Sequence, residues 1–557
     1  MPKRIQLNYS DREVVEVGKF AAALKETATK ESGVFDSAAA SDFMSTIQNQ
    51  ADTGITVPKD LQVVLDEVGD EGAGRVTQAM LDGIRVYEEQ HGVEAPADVI
   101  RHAIHLGYGT TTEARRKFAL DSASSAHHDQ ISLQPNRAVV AIMSAIAEAV
   151  PIAHYLPADV GSNEARLAIL SHNAGNAFGL YGQGAIMDGI SSGDPYITSS
   201  RINTSKPAVT TGNVTGKITK IQTTADTCDA NAGDTMLLRG RSLVYVNGRV
   251  AAKEVESTGS GNSAVSGSIV VGGTSYTIGG TINTDTGVYA LTTTPAMPVT
   301  VDVVVEGFID YERAPTLVPS IISAVNTYSI YAKPWRVNTR QTIDSRTQMA
   351  NELGLDPYSE SVYAIQTQFA NERHYDAIRK GVRLGANNVQ EFDFDLAAQR
   401  AEKSRAEIWQ DFSYPLGAAS QQMAEDTMNH GITHLYVGKR VAAQYLGLPS
   451  TVFQPSGVAA RPGIYRLGTL FGQYEVYYTP KGLVETEDGA QILAAGRATD
   501  VARNPIVFGD AVAPTVLPLS VGDDLRQGAG FYARNFSSVN PHDPSARGFA
   551  LINVTNM

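Results

Sequence analysis

This sequence predicts an α+β chain of several domains, and three observations lead there. Residues 1–118 carry helical patterning, residues 206–311 switch abruptly to threonine, serine and glycine with strand-like alternation, and an apolar helical stripe returns at Tyr358. At 557 residues the chain is too long for one core, and length alone suggests roughly three to four domains. A content of 43% hydrophobic and 19% charged residues belongs to a folded chain, and 50 glycines beside 2 tryptophans point to many turns and a substantial β fraction.

The N-terminal elements follow from spacing. Val14–Lys30 is alanine-rich, with Phe20, Leu24 and Ala28 four apart on one helical face. Asp60–Val68 and Arg75–Gln90 read as two short helices parted by a glycine-rich turn, Gly69–Gly74. The basic run Arg115–Lys117 reads as a solvated helix end. Residues 1–118 therefore look like a helical arm or an internal scaffold more than a catalytic domain. Within residues 119–205 the apolar stretch Ala138–Ile152 suits a helix. Gly175, Gly179, Gly182, Gly184, Gly189 and Gly193 then suggest a long, pliable excursion.

Residues 206–311 read as an inserted β-sandwich or barrel. Leu243–Val246, Asn247-Gly248 and Arg249–Ala252 make a strong hairpin signal, because Asn-Gly supplies the positive φ angles of a type I′ turn. Ser268–Val271, Gly272-Gly273 and Thr274–Ile278 form a second candidate hairpin, and Val299, Val301, Val303 and Val305 alternate as a half-buried strand should. Further on, Tyr358, Val362, Ile365 and Phe369 share one helical face, while Tyr375, Ile378 and Val382 form a stripe rotated toward the other side. A long helix packed on different neighbours at its two ends would show that switch. Leu396–Asp411 reads as another helix, with Asp395 as its N-cap, and from His434 onward short β pieces alternate with Pro/Gly turns.

Charge and motifs narrow the function. A net charge of −14 argues against a protein that coats nucleic acid through phosphate contacts. It suits a container whose carboxylate-rich inner wall repels packaged phosphates. The single cysteine, Cys228, excludes an intramolecular disulfide and reads as a small buried thiol. No apolar run reaches the length of a membrane span, and Met1–Ser10 lacks the apolar stretch of a secretory signal, so the chain is expected to be made in the cytoplasm. Gly189-Ile190-Ser191-Ser192-Gly193 formally matches the G-x-S-x-G nucleophile elbow, which needs a strand before the serine and a helix after it. Here glycines precede it, and Asp194-Pro195 disfavours a following helix. His127-His128-Asp129 reads as a solvated loop rather than a metal site. His102 and His105 could share a helical face but lack a third ligand nearby, and Asp393 and Asp395 read as a strand edge or helix start. No P-loop pattern occurs. The residues thus nominate no catalytic, cofactor-binding or metal site, and no enzyme activity.

The C-terminal stretch carries a resemblance. Arg503–Asp510 (RNPIVFGD) with Ala513-Pro514-Thr515, Gly528–Arg534 (GAGFYAR) and Val539–Ala546 (VNPHDPSA) resemble major capsid proteins of tailed bacteriophages with the Hong Kong 97-type fold. Tyr436–Lys439 and Gly472–Tyr478 resemble paired strands of that family's axial domain. The β insertion ending at Val303–Glu312 is similar to the extra domain of larger phage capsid proteins.

The resemblance implies a layout. Residues 1–118 would be the N-terminal arm or scaffold-like segment, 119–205 its continuation and the first part of the extended loop, 206–311 the inserted β domain and 312–355 the loop's return. Residues 356–383 would be the spine helix of the peripheral domain, 384–480 the axial domain, and 481–557 its remainder and the return to the peripheral domain. It also implies self-assembly into hexamers and pentamers of an icosahedral or prolate shell around double-stranded DNA in the virion. Portal and scaffolding proteins, a decoration protein and a maturation protease would be partners, with no cofactor and no membrane. An encapsulin-like compartment shell shares the implied fold, and a phage tail or adhesin protein is the rival from another class.

Overall fold

The computed structural model describes residues 9–28, 43–44, 47, 55–111, 136–158, 163–255, 261–519 and 526–557. Arg115–Lys117 and His127–Asp129 lie outside the described residues. The chain divides into two compact units, one of Met1–Ile169 with Thr327–Met557 and one of Leu170–Asn326.

In the first unit, helices Tyr9–Ala28, Lys59–Val68, Asp70–His91, Ala97–Gly109 and Asn136–Ala147 form a bundle. Phe20, Leu24 and Ala28 are all fully buried, as their spacing requires. The turn expected over Gly69–Gly74 shrinks to Gly69 alone. Its φ of 75° reverses the chain in one residue, so the next helix starts at Asp70 and absorbs Gly72 and Gly74. The bundle packs on its own chain: Ile84, Tyr87, Ile104 and Ile142 share a core with Tyr436, Tyr477, Ile506, Phe508 and Phe549.

Two sheets complete this unit. One has four strands, ordered His154–Tyr155, Ile506–Leu519, Gly528–Val539, Lys333–Asn338. The other has seven, ordered Val389–Asp393, Phe549–Thr555, Gly489–Ala495, His434–Val437, Tyr474–Tyr478, Tyr465–Leu470, Phe453–Pro455. The last strand of the chain therefore enters the seven-stranded sheet.

The long helix Pro357–Gly385 spans both sheets. Asp356 caps it by accepting from the Ser359 amide at 2.9 Å, and Pro357 occupies the first turn, where no amide donor is missed. Ile365 and Phe369 pack against Trp335, Ala529, Phe531 and Ala533 of the four-stranded sheet. Ala377 and Ile378 join the core that contains Leu493, Phe549 and Leu551. Gly381 lets the helix settle on Phe549, whose ring would stand 2.7 Å from an added Cβ. The rotated stripes are thus two packing surfaces.

The helix expected over Leu396–Asp411 is two elements. Ala397 and Ala398 take positive φ within a 3-10 segment, Leu396–Ala401, and Asp395 makes no side-chain cap to it. A new helix, Arg405–Asp411, starts where Ser404 and Glu407 form a capping box. It delivers Trp409 into a cluster with Phe392, Phe412 and Tyr445 under the seven-stranded sheet.

The second unit is an eight-stranded sheet, ordered Ser200–Ser205, Val303–Phe308, Leu243–Val246, Arg249–Val255, Asn262–Val271, Thr274–Asn283, Val288–Thr294, Val214–Lys217. Asn247 and Gly248 both have positive φ, as do Gly272 and Gly273, which closes the two hairpins as type I′ turns require. The sheet curls like a barrel: Asn203 at one end donates to the Tyr289 hydroxyl near the other end at 2.7 Å. Val301, Val303 and Val305 point into the core, but Val299 is 38% exposed and precedes the strand. Ser200–Ser205 belongs to the sheet although it lies ahead of the compositional change at residue 206.

The start of the glycine-rich stretch is packed, which corrects its reading as a pliable excursion there. Phe178, Tyr181 and Tyr196 are buried together with Ala174 and Ile309. Gly179 (φ 57°) lies so close to the Pro195 carbonyl that an added Cβ would stand 1.8 Å from its oxygen. Gly175 and Gly179 serve close approach, while Gly182, Gly184 and Gly193 meet no neighbour within 4 Å. Beside them Arg201 is fully buried, its guanidinium 4.5 Å from the centre of the Phe178 ring and hydrogen-bonded to the Thr198 and Ser200 carbonyls.

Candidate functional site

The serine motif does not build an elbow. Ser191 ends a single 3-10 turn, Gly189–Ser191, with turns before it and turns after it. Its carbonyl accepts a hydrogen bond from the Tyr181 hydroxyl. The nearest histidine–carboxylate pair in the sequence, His172 and Asp188, is joined at 3.0 Å, and among the described residues no hydrogen bond links either to Ser191.

His102 and His105 diverge. His102 is buried with its Nε2 2.7 Å from Asp510, while His105 lies against Asp60 and the Ala158 carbonyl. Asp510 also accepts from Arg373 at 3.3 Å, and the Arg373 guanidinium sits over the Phe369 and Phe508 rings. A second buried carboxylate, Asp98, accepts from Arg497 at 2.8 Å and from the Tyr155 amide at 3.0 Å. Burial alone would raise both carboxyls. Arg497 and His154 at Asp98, and Arg373 and His102 at Asp510, overcome it and hold both below the usual carboxylate range. The two carboxylates fasten helix Ala97–Gly109 to the sheets, and sequence reading missed them because their partners lie about 400 positions away.

Asp393 ends a strand and accepts from the Asp395 amide and the Asn556 side chain. Cys228 is buried. Among the described residues no group of three or more His, Cys, Asp or Glu could hold a metal ion, and no helix is long and apolar enough to cross a membrane.

The surface offers a different kind of site. Glu164–Ala174 and Ile321–Tyr331 pair as a two-stranded ribbon. Ile321, Ile322, Val325 and Tyr331 are exposed on it, Val325 and Tyr331 to 62% each. Ala165, Leu167, Ile169 and Ile330 of the ribbon are buried on their own chain, and its end at His172–Ala174 is hydrogen-bonded to residues 184–187.

An α+β chain with a long helix across two sheets and an inserted barrel-like sheet is the class this architecture defines. Among solved structures, the chain is similar to the capsid of the jumbo bacteriophage PhiKZ, with TM-score 0.31 and 10% identity over 72% of this chain and 91% of that one. It is similar to the capsid of Myoviridae phage XM1, with TM-score 0.26 and 8% identity over 58% and 90%. It is also similar to the SrpI encapsulin complex from Synechococcus elongatus, with TM-score 0.28 and 10% identity over 42% and 79%. No family model and no curated protein sequence matches the chain.

Proposed function

We propose that the chain is the major capsid protein of a tailed bacteriophage, a structural subunit of Hong Kong 97-type fold that assembles through hexamers and pentamers into a shell around double-stranded DNA. The observation that carries this reading is the ribbon: Ile321, Ile322, Val325 and Tyr331 stand exposed along a hydrogen-bonded strand pair. A second copy would cover them, and a closed shell repeats that burial around every symmetry axis. In this reading residues 356–383 are the peripheral-domain spine, 384–480 with the later strands the axial domain, and the ribbon the extended loop, interrupted by the β unit. Residues 1–118 are the subunit's helical N-terminal arm or internal scaffold-like segment. Portal, scaffolding and decoration proteins and a maturation protease would be its partners, and the virion its place.

Purified protein viewed by negative-stain electron microscopy tests the reading, with closed shells or six-fold and five-fold rings as the expected result. A monomer at every concentration overturns it. Particles that hold a cargo enzyme instead of DNA point to an encapsulin-like compartment.

A further inference from the structure

Three histidines from three separate elements converge where the helical bundle meets the seven-stranded sheet. His91 is the last residue of helix Asp70–His91, His374 lies midway along the long helix, and His434 opens the strand His434–Val437. They surround Tyr436 and Tyr477, which stack at 5.5 Å on adjacent parallel strands. His91 Nδ1 is 2.9 Å from the Tyr477 hydroxyl, His374 Nε2 is 2.9 Å from the Tyr436 hydroxyl, and the His434 ring lies 6.0 Å from that of Tyr477.

The charges facing this junction are mainly cationic. Arg461 and Arg466 face His91, and Arg497 faces His434 and Tyr87. Among the described residues, the carboxylates that face it are already engaged, Glu475 by Arg466 and Asp98 by Arg497. The C-terminal end of helix Asp70–His91 would favour a cation at His91. That effect is smaller than the cost of burying an unpaired charge. Burial and the neighbouring cations push His91 down to about 3, and burial pushes His374 and His434 to about 3 as well.

We propose that this histidine–tyrosine junction is an acid-released clamp: proton uptake by His91, His374 and His434 frees the C-terminal end of helix Asp70–His91 from the sheet. The neighbouring helix, Ala97–Gly109, also carries a buried histidine, His102, which burial holds below its ordinary range. Asp510 at 2.7 Å opposes that shift and would pair with the charged ring, so this helix stays docked while Asp98 and Asp510 remain ionised. The sign follows from linkage. Each histidine has a lower pKa in the folded state than in the unfolded one, so its contribution is complete above about pH 6.5 and is lost as pH falls from there toward the folded value. The carboxylates, also depressed, keep their contribution down to about pH 4.

Amide hydrogen exchange of the full chain, followed from pH 7.5 to 3.5, tests the order of release. Protection of residues 80–92 should fall between about pH 6 and 4, with the opening constant rising up to about tenfold per pH unit for each proton taken up. Residues 97–109 should stay protected until lower pH. The double variant His91→Asn, His374→Gln keeps a hydrogen-bonding atom near each tyrosine and should shift the release of residues 80–92 to lower pH. Simultaneous loss of both helices, or an unshifted release in the variant, overturns the proposal. Should the variant not fold, histidine C2-hydrogen exchange on the wild-type chain decides. Titration of His91 and His374 well below pH 6.5 supports the clamp, and ordinary titration near 6.5 overturns it.

Discussion

Phe369 shows how much a single side chain does at the middle of the long helix. Its ring meets Trp335 edge-on at 5.3 Å and Phe531 at 5.1 Å, with the Arg373 guanidinium above it. Truncating a buried phenylalanine to alanine costs about 3–5 kcal/mol, so Phe369→Ala should markedly lower the urea midpoint of the first unit. Tyr358, in the first turn of the same helix, is more than a third exposed, and Tyr358→Ala should shift that midpoint far less. Asp510→Asn should be as severe as Phe369→Ala, because it leaves Arg373 buried beside a neutral group, and breaking a buried pair costs about 3–5 kcal/mol. Equal midpoints for all three variants would contradict this assignment of the core. Ser191→Ala should alter neither folding nor assembly, since its hydroxyl belongs to no elbow.

At the scale of elements, the second unit makes a sharp statement about where a foldable piece begins. Ser200–Ser205 pairs along the whole of Val303–Phe308 and brings Asn203 to Tyr289. A fragment of residues 170–326 should therefore show a β-type circular dichroism spectrum and a cooperative thermal transition. A fragment of residues 206–311, cut at the compositional boundary, should aggregate, because Val303–Phe308 becomes an open edge. A cooperative transition in the shorter fragment would show that Ser200–Ser205 is dispensable. The hairpins around Asn247-Gly248 and Gly272-Gly273 were legible because the turn geometry is local. The two packing surfaces of the long helix were legible because they write a phase change into its periodicity. The break after Asp395 was not, since two alanines in positive φ carry no sequence signal and Ser404 with Glu407 supplied a stronger start. The buried roles of Asp98, Asp510 and the histidines at the junction were equally hidden, because each depends on partners placed by the whole fold.

For the whole molecule, the question is which surface makes a subunit into a shell. Glycine density alone pointed to residues 175–193, but Phe178 and Tyr181 are buried there and Gly179 lies tightly against the Pro195 carbonyl. Deleting that stretch should unfold the second unit instead of leaving a competent monomer. The ribbon is the better target, because Ile322 and Val325 are exposed and contribute little to their own unit's core. Replacing both with aspartate should leave the circular dichroism spectrum and thermal transition unchanged, since surface substitutions usually stay within about 0.5 kcal/mol. The same change would place two charges in a contact that the proposed shell buries, where an unpaired charge costs several kcal/mol per copy. A shell multiplies that cost over every subunit, so the double variant should elute as a folded monomer or small oligomer and show no closed particles by electron microscopy. Shells of normal appearance from this variant would remove the ribbon from the assembly interface and with it the main support for the proposed function.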